Sequence, residues 1–415
     1  MSALSTVVQE QGPLARPTPP ATGQAPMVRP QIPLGMAILC LVLIALGLRP
    51  GIVSIGPILP GVVDAFSLSH TQASLLIAVP TLLMGLLALP TPWLAQRFGR
   101  DRMIIAALLV LALATLGRAF SESTAALFAT TAGIGVGIAI AGAMIPGFVK
   151  EGFPGRVAML MGVYAMALSV GSVLAAGVTG LVAQHFGTWR APAALWAAPA
   201  LVGMAAWLHI EARGRVATEA VASPRHRLPV RNPTAWRIAA FFALTNVIFF
   251  SYVSWIAPVY VALGHSPTAA GMILAAFTLA FMVANPLFGA ISRGEDRRAY
   301  LAAASAISLT GVVWMAVAPN LYPFVVVSLI GFGTGGAFTL AMTLPLDNAR
   351  SAGEATSWNA FVMLVSYVIG AAGPVLVGVL HDASGGFRVP LWMLVTASVA
   401  MLGTTPFLQP HHRRD

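Results

Sequence analysis

The chain has 415 residues, of which 58% are hydrophobic and only 9% charged, and it carries a formal net charge of +10. A water-soluble domain carries about 25% charged residues, so a soluble enzyme or a soluble nucleic-acid-binding protein is excluded and a chain that crosses a lipid bilayer many times is indicated. The apolar runs are continuous and long enough for helices, without the alternation of an outer-membrane barrel.

Residues 1–33 are rich in Pro, Gln, Ala and Thr. They lack the basic, apolar and small-residue order of a cleaved signal and read as a flexible cytoplasmic tail. Twelve helices are predicted near 34–60, 72–95, 103–121, 124–147, 157–180, 191–209, 236–262, 268–291, 299–318, 321–345, 355–380 and 388–408. The polar stretch 210–235 divides them into an N-terminal bundle, 34–209, and a C-terminal bundle, 236–408, and a short tail, 409–415, ends the chain. Apart from Arg49, Arg118, Arg190 and Arg388, all 23 Lys and Arg residues fall on the side of the termini. Basic residues concentrate in cytoplasmic loops, so both termini and the 210–235 linker are assigned to the cytoplasm. Cys40 is the single cysteine; no internal disulfide can form, and a small core residue is expected.

The first span holds the sequence's most unusual feature. Arg49 lies about fifteen residues into an apolar run, beside Pro50 and between Gly47 and Gly51. An arginine at the centre of a membrane helix costs roughly 2.5–3.5 kcal/mol on insertion scales, so it is expected to face a cavity. Its guanidinium stays charged, and its planar donors suit a carboxylate, a nitro group or another small anion. Proline and glycine loosen the helix where freed backbone groups would line that cavity. The plainer alternative is that Arg49 pairs with helix-end carbonyls or reaches the interface. No other charged residue is expected well inside a span.

The seventh span supplies the facing wall, with Asn246, Tyr252, Ser254 and Trp255. Tyrosine and tryptophan stack on planar ligands and offer one hydrogen bond each, although Trp255 also suits an interfacial aromatic belt. Tyr164 and Tyr367 are further candidates from the fifth and eleventh spans, with helix packing as the alternative. Trp189 and Trp196 read as interface anchors, and His185, His265 and His381 as solvated residues of outer loops.

The two halves repeat. Gly133, Gly135 and Gly137 recur 198 positions later as Gly331, Gly333 and Gly335; Pro60 and Pro258, Gly180 and Gly378, Gly187 and Gly385, and Arg190 and Arg388 keep the same offset. Parallel repeats of six spans point to transport at their interface by rocking of the halves. The repeated glycines read as sites of close helix packing, and so does the Gly-rich stretch 331–338, which only mimics a nucleotide fingerprint.

The stretch "PWLAQRFGRDR" (92–102) resembles the loop signature of the major facilitator superfamily at Leu94, Ala95, Arg97, Gly99, Arg100 and Arg102. Pro92 and Gln96 stand where the signature has Gly and Asp. The stretches 48–60, 153–164, 189–196, 251–271 and 369–387 resemble one branch of it, the cyanate/nitroimidazole transporter family. The resemblance implies an all-α membrane protein with twelve transmembrane helices in two pseudo-symmetric six-helix bundles. It also implies a conformational latch at Arg97, Gly99, Arg100 and Arg102, with a degenerate second copy around Arg293. Three amides expected in that branch are replaced, by Gly47, Gly142 and Met363.

The expectation is a secondary active transporter of a small anion or polar planar organic solute, working by alternating access. Arg49, Asn246, Tyr252, Trp255, Tyr164 and Tyr367 would form the substrate site. A multidrug/proton antiporter of the same superfamily, exporting lipophilic compounds, is the alternative. Neither reading needs enzyme chemistry, a cofactor, a resident metal or nucleic acid. The partners expected are a small-molecule substrate, protons as a candidate coupling ion, and the lipid of a bacterial cytoplasmic (inner) membrane, with the chain as a monomer.

Overall fold

The computed structural model describes residues 33–153, 156–213, 228–292, 296–349 and 352–409. Arg293, Arg350 and most of the two tails and the central linker lie outside the described residues.

Among the described residues, twelve helical spans are long and apolar enough to cross a membrane. The first is built from three pieces, α1 (Leu34–Leu48), α2 (Pro50–Val53) and α3 (Ile55–Phe66). The break falls where Pro50 removes a donor, and the Arg49 carbonyl accepts from both Ile52 and Val53 N–H at 3.1 Å each. Span two, α4 (His70–Leu87), opens on a capping box in which Ser69 and Gln72 exchange side-chain-to-backbone hydrogen bonds.

Next come α5 (Thr91–Phe98) and α6 (Arg100–Ala119), joined by Gly99 alone at φ 87°. The 92–102 signature is therefore a helix–glycine–helix corner rather than an open loop. Only glycine takes this backbone conformation without strain. The N-terminal half is completed by α7 (Thr124–Gly152), α8 (Val157–Phe186), α9 (Arg190–Leu195) and α10 (Ala197–Arg213). The C-terminal half comprises α11 (Pro233–Ala262), α12 (Pro267–Ile291), α13 (Arg298–Val317), α14 (Pro323–Asn348), α15 (Ala352–Gly370), α16 (Ala372–Ser384) and α17 (Arg388–Thr404).

Two helices run further than the sequence pattern suggests. The fifth span continues to Phe186 and the eleventh to Ser384. Gln184, His185, His381 and Asp382 end the apolar run, yet the backbone stays helical until a left-handed glycine stops it, Gly187 at φ 65° and Gly385 at φ 72°.

The repeated glycines pack against the second and third spans of their own half, although glycines paired by the 198-residue offset meet different neighbours, Gly135 the second span and Gly333 the third. A side chain at Gly135 would meet the Pro80 Cα at 2.7 Å and one at Gly137 the Ala107 carbonyl at 2.7 Å, bringing α7 onto α4 and α6. Gly331 lies against the Phe277 carbonyl and Gly333 against Ala304 and Ser308, bringing α14 onto α12 and α13. Gly333→Val should therefore destabilise the fold by roughly 1–3 kcal/mol, the cost of an overpacked contact, and so lower the melting temperature. Gly289→Ala, whose new methyl would meet only Thr339 at 3.8 Å, should leave it unchanged. Equal melting of the two variants in detergent would contradict this packing.

The halves meet along α4 with α15 and α16, α8 with α12, and α3 with α11. The end away from the termini, here the distal end, is closed at two pseudo-equivalent places. At the first, Gly180 admits the Pro267 carbonyl at the start of α12, 2.7 Å from where a side chain would begin, and the Thr268 hydroxyl donates to Gln184 Oε1. At the second, Gly378 admits the His70 carbonyl at 2.5 Å, and Asp382 accepts from the start of α4. Gly180 and Gln184 precede Gly378 and Asp382 by the same 198 positions that separate the repeats.

Candidate functional site

Span one and span seven run in the same direction and touch where Gly56 faces the Val253 and Ser254 carbonyls, with 2.8 Å from a built Cβ to Val253 O. Seven residues back along each helix, about 10 Å, Arg49 stands level with Asn246 across the interface between the halves.

Tyr367 is at the same level. Its ring lies 6.5 Å from Phe242 and 6.0 Å from Phe250, which sit one turn to either side of Asn246. Arg49 lies close enough for its charge to act on both the Tyr164 and the Tyr367 phenol, and Tyr367 lies close enough to act on Tyr164. Four of the six predicted site residues, Arg49, Tyr164, Asn246 and Tyr367, thus converge from spans one, five, seven and eleven.

Burial makes the group unusual. Asn246 is fully buried, and neither its amide nitrogen nor its amide oxygen has a partner among the described residues. A buried, unsatisfied amide costs about 1–3 kcal/mol unless something hydrogen-bonds it. Arg49 is half-buried and Tyr164 and Tyr367 are buried. The site therefore offers one fixed cation, one amide with both donor and acceptor, and two phenols, within otherwise apolar helices.

The replaced amides sort differently from the sequence expectation. A side chain at Gly142 would begin 3.9 Å from the Tyr164 hydroxyl and meet nothing nearer, so that position does front the site. A side chain at Gly47 would begin 3.0 Å from the Pro199–Ala200 backbone. Gly47 faces span six, so its missing amide takes nothing from the site. Met363 is half-buried on α15.

Tyr252 and Trp255 do not join the group. Tyr252 is buried, with its ring 6.2 Å from Phe277 and its hydroxyl unpartnered among the described residues. It lies more than a turn distal to Asn246, packed against α12. Trp255 donates its indole N–H to the Pro374 carbonyl at 3.1 Å and packs on His70 and Phe387, which places it in the distal closure. The Ser254 hydroxyl is buried nearby and has no partner among the described residues.

The predicted latch residues separate as well. The Arg97 guanidinium lies over Trp93 and Phe98, at 5.3 and 5.5 Å, and the Arg100 guanidinium over Phe148 at 5.4 Å, all within the N-terminal half. Arg102 is exposed. In the C-terminal half, Arg297 forms an ion pair with Asp347, reaching its Oδ2 at 2.6 Å, and donates to the Ser292 carbonyl at 3.0 Å.

Several residues carry roles that sequence reading missed. Arg118, counted with the outer arginines, is 2% exposed, and its Nη1 donates to the Gly51 carbonyl at 3.1 Å. A buried guanidinium from the third span therefore supports the break beside the half-buried Arg49. A helix break leaves carbonyls free, and that is the signal that would have found it. Trp189 and Trp196 are buried rather than interfacial: Trp189 lies 5.8 Å from Phe66 and under Arg190, and Trp196 donates to Thr179 at 2.8 Å. His381 is helical and stacked on His70, with ring centroids 3.7 Å apart, instead of standing in a solvated loop.

Comparison with known proteins bears on the family and the fold. Residues 36–371 match the family model described as Major Facilitator Superfamily. The cyanate transport protein CynX of Escherichia coli (strain K12) is 34% identical over 350 residues, spanning 84% of this chain and 91% of that protein. The 2-nitroimidazole transporter of the same organism is 29% identical over 366 residues, spanning 87% and 92%. Among solved structures, a D-xylose-proton symporter superposes with a TM-score of 0.73 at 16% identity, covering 91% of this chain and 98% of its own, a likeness of fold.

Proposed function

Because the chain belongs to the major facilitator superfamily and is a relative of cyanate and 2-nitroimidazole transporters, we propose that it moves a small planar anion or polar planar solute across a bacterial inner membrane by alternating access. The observation that carries this reading is the convergence of Arg49 with the unpartnered Asn246 amide at the interface of the two halves. A cyanate-like ion, a nitro group or a small carboxylate presents oxygen or nitrogen lone pairs in one plane, which a guanidinium engages with two parallel donors. The amide then donates to or accepts from the ligand's other edge, and the phenols of Tyr164 and Tyr367 lie to the sides. Gly142 leaves room in front of Tyr164, so a solute bulkier than the ions themselves would fit there.

In this reading the distal end is the outer one, because the Arg- and Lys-rich loops belong to the cytoplasm. Opening of the outer end would require the Gly180 and Gly378 contacts to part while α5 and α6 swing about Gly99. Any proton coupling would pass through a group other than Arg49 or through the substrate itself.

Uptake by purified protein in liposomes tests the reading. Saturable movement of cyanate, nitrate, a small carboxylate or a nitroimidazole, with competition among them, is expected, and lipophilic cations should not compete because Arg49 repels them. Movement of lipophilic cations alone would favour the multidrug exporter and overturn the proposal. Uptake insensitive to both pH and membrane voltage would remove proton symport from the mechanism.

A further inference from the structure

We propose that the distal closure is a transition-metal site, in which a divalent ion of the Zn²⁺ or Ni²⁺ class binds across the two halves on His70 and His381, together with Asp382, and holds this end shut. The three residues are 311 and 312 positions apart at their widest, so the site exists only when α4 and α16 are packed together.

The geometry is close to a ligand set. One donor atom from each of the three lies within 4.8 Å of the others, and His70 Nδ1 is already 2.9 Å from Asp382 Oδ1. Tetrahedral nitrogen and oxygen ligands about 2.0–2.1 Å from zinc stand about 3.3 Å from one another. Convergence on one ion requires the His381 ring to turn out of its stack on His70 and direct a nitrogen toward the gap. Imidazole and carboxylate donors together suit zinc, nickel or copper better than calcium or magnesium, which take oxygen ligands.

The surrounding shell is also built. Asp382 is held by the backbone N–H of His70 at 3.0 Å, the N–H of Thr71 at 2.8 Å and the Thr71 hydroxyl at 2.7 Å. Such outer partners fix the direction of a ligating group. Phe387 lies 4.4 Å from the His381 ring, and Trp255, itself tied to Pro374, lies 5.8 Å from His70.

Two further observations point to a ligand rather than to packing. His381 Nδ1 is buried and has no partner among the described residues, a cost that ligation removes. The pseudo-equivalent closure, 198 positions earlier or later along the chain, has Thr268, Ala183 and Gln184 where this one has His70, His381 and Asp382. That closure packs without any imidazole, so the stacked histidines are not required for the two halves to meet.

An ion bound only by the closed form stabilises that form by mass action. The test uses full-length protein without a polyhistidine tag, stripped with EDTA and melted in detergent against ZnCl₂ or NiCl₂. A saturable rise in melting temperature is expected, with apparent affinity weakened about tenfold or more in His70→Ala and in His381→Ala. His185→Ala should keep the rise, and CaCl₂ and MgCl₂ should give none. No rise in the native chain, an equal rise in the two histidine variants, loss in His185→Ala, or an equal effect of calcium overturns the site. If a histidine variant does not fold, spin labels at Glu122 and Leu321 on the two distal rims, in a Cys40→Ser background that keeps both histidines, decide. Zinc should narrow their distance distribution toward its short component, and an unchanged distribution overturns the proposal.

Discussion

Replacing Arg49 by glutamine should weaken binding of the anion proposed as substrate by roughly 30- to 1000-fold, the equivalent of about 2–4 kcal/mol for losing charge-assisted, two-pronged recognition in a buried setting. Lysine should fall between the two, because it keeps the charge and loses the planar fork. The first span should survive both changes. Its break depends on Pro50, on the Arg49 backbone carbonyl and on Arg118 holding Gly51, none of which the side-chain replacement removes. In the absence of ligand the glutamine variant should melt at or above the native temperature, since a half-buried charge has been taken away. The checks are ligand-dependent thermal shift and liposome uptake measured side by side. Native-like anion affinity in Arg49→Gln would remove Arg49 from the substrate site. Loss of uptake with affinity retained would move it from binding to the conformational cycle.

Arg49 was legible in the sequence because hydropathy makes a lone cation in an apolar run conspicuous, and proline and glycine beside it mark the backbone break. Tyr164, Asn246 and Tyr367 were legible as polar residues on spans that the repeat places around one axis. What a one-dimensional pattern lacks is the direction in which each residue faces. Gly47 lies two residues from Arg49 yet faces span six, where the Pro199–Ala200 backbone fills its Cβ position. Trp255 follows Asn246 by nine residues and so lies about 13 Å further along the helix, in the closure rather than the site. Counting charges by loop has a similar blind spot. Arg118 and Arg190 both fall at distal ends, but Arg118 turns inward to Gly51, and Arg190 caps the end of α6 through the Ala119 and Ser121 carbonyls at 2.7 and 2.9 Å.

The packing glycines were legible for the opposite reason. A glycine whose partner is a backbone carbonyl in a neighbouring helix is needed in both halves, so the 198-residue repeat preserves it. The polar residues that join the halves differ between the two closures, Gln184 in one and Asp382 in the other. No internal repeat could announce them, and their partners are distant in the chain. Asp382 ends an apolar run, and in a sequence that reads as a span boundary. In the fold the same carboxylate receives both of the first backbone donors of α4, which makes one half of the molecule supply the N-terminal cap of a helix in the other.

That cap makes Asp382→Ala the strongest expected perturbation of the conformational balance. The native carboxylate accepts from the His70 and Thr71 N–H groups and from the Thr71 hydroxyl, with His70 Nδ1 within 2.9 Å. It also faces the positive end of the helix macrodipole. Hydrogen bonds to a charged group contribute about 1.5–3 kcal/mol each when shielded from water, and the partial exposure of Asp382 reduces that. A net loss of roughly 2–4 kcal/mol for the distal closure is expected, shifting the balance between closed and open distal ends by about 30- to 1000-fold. The fold of each half should persist, because the lost bonds all run between halves and the capping box of Ser69 and Gln72 still starts α4. Spin labels at Glu122 and Leu321, in a Cys40→Ser background and with metal removed by EDTA, read the result. The native chain should show the short distance, Asp382→Ala a second and longer one, and Asp382→Asn a mixture, since the amide oxygen still accepts one backbone donor. Removal of Gln184 should act in the same direction but more weakly, because its bond to Thr268 carries no full charge. An Asp382→Ala distribution indistinguishable from the native one would mean that the glycine contacts at Gly180 and Gly378, rather than the interhelical cap, keep the distal end closed.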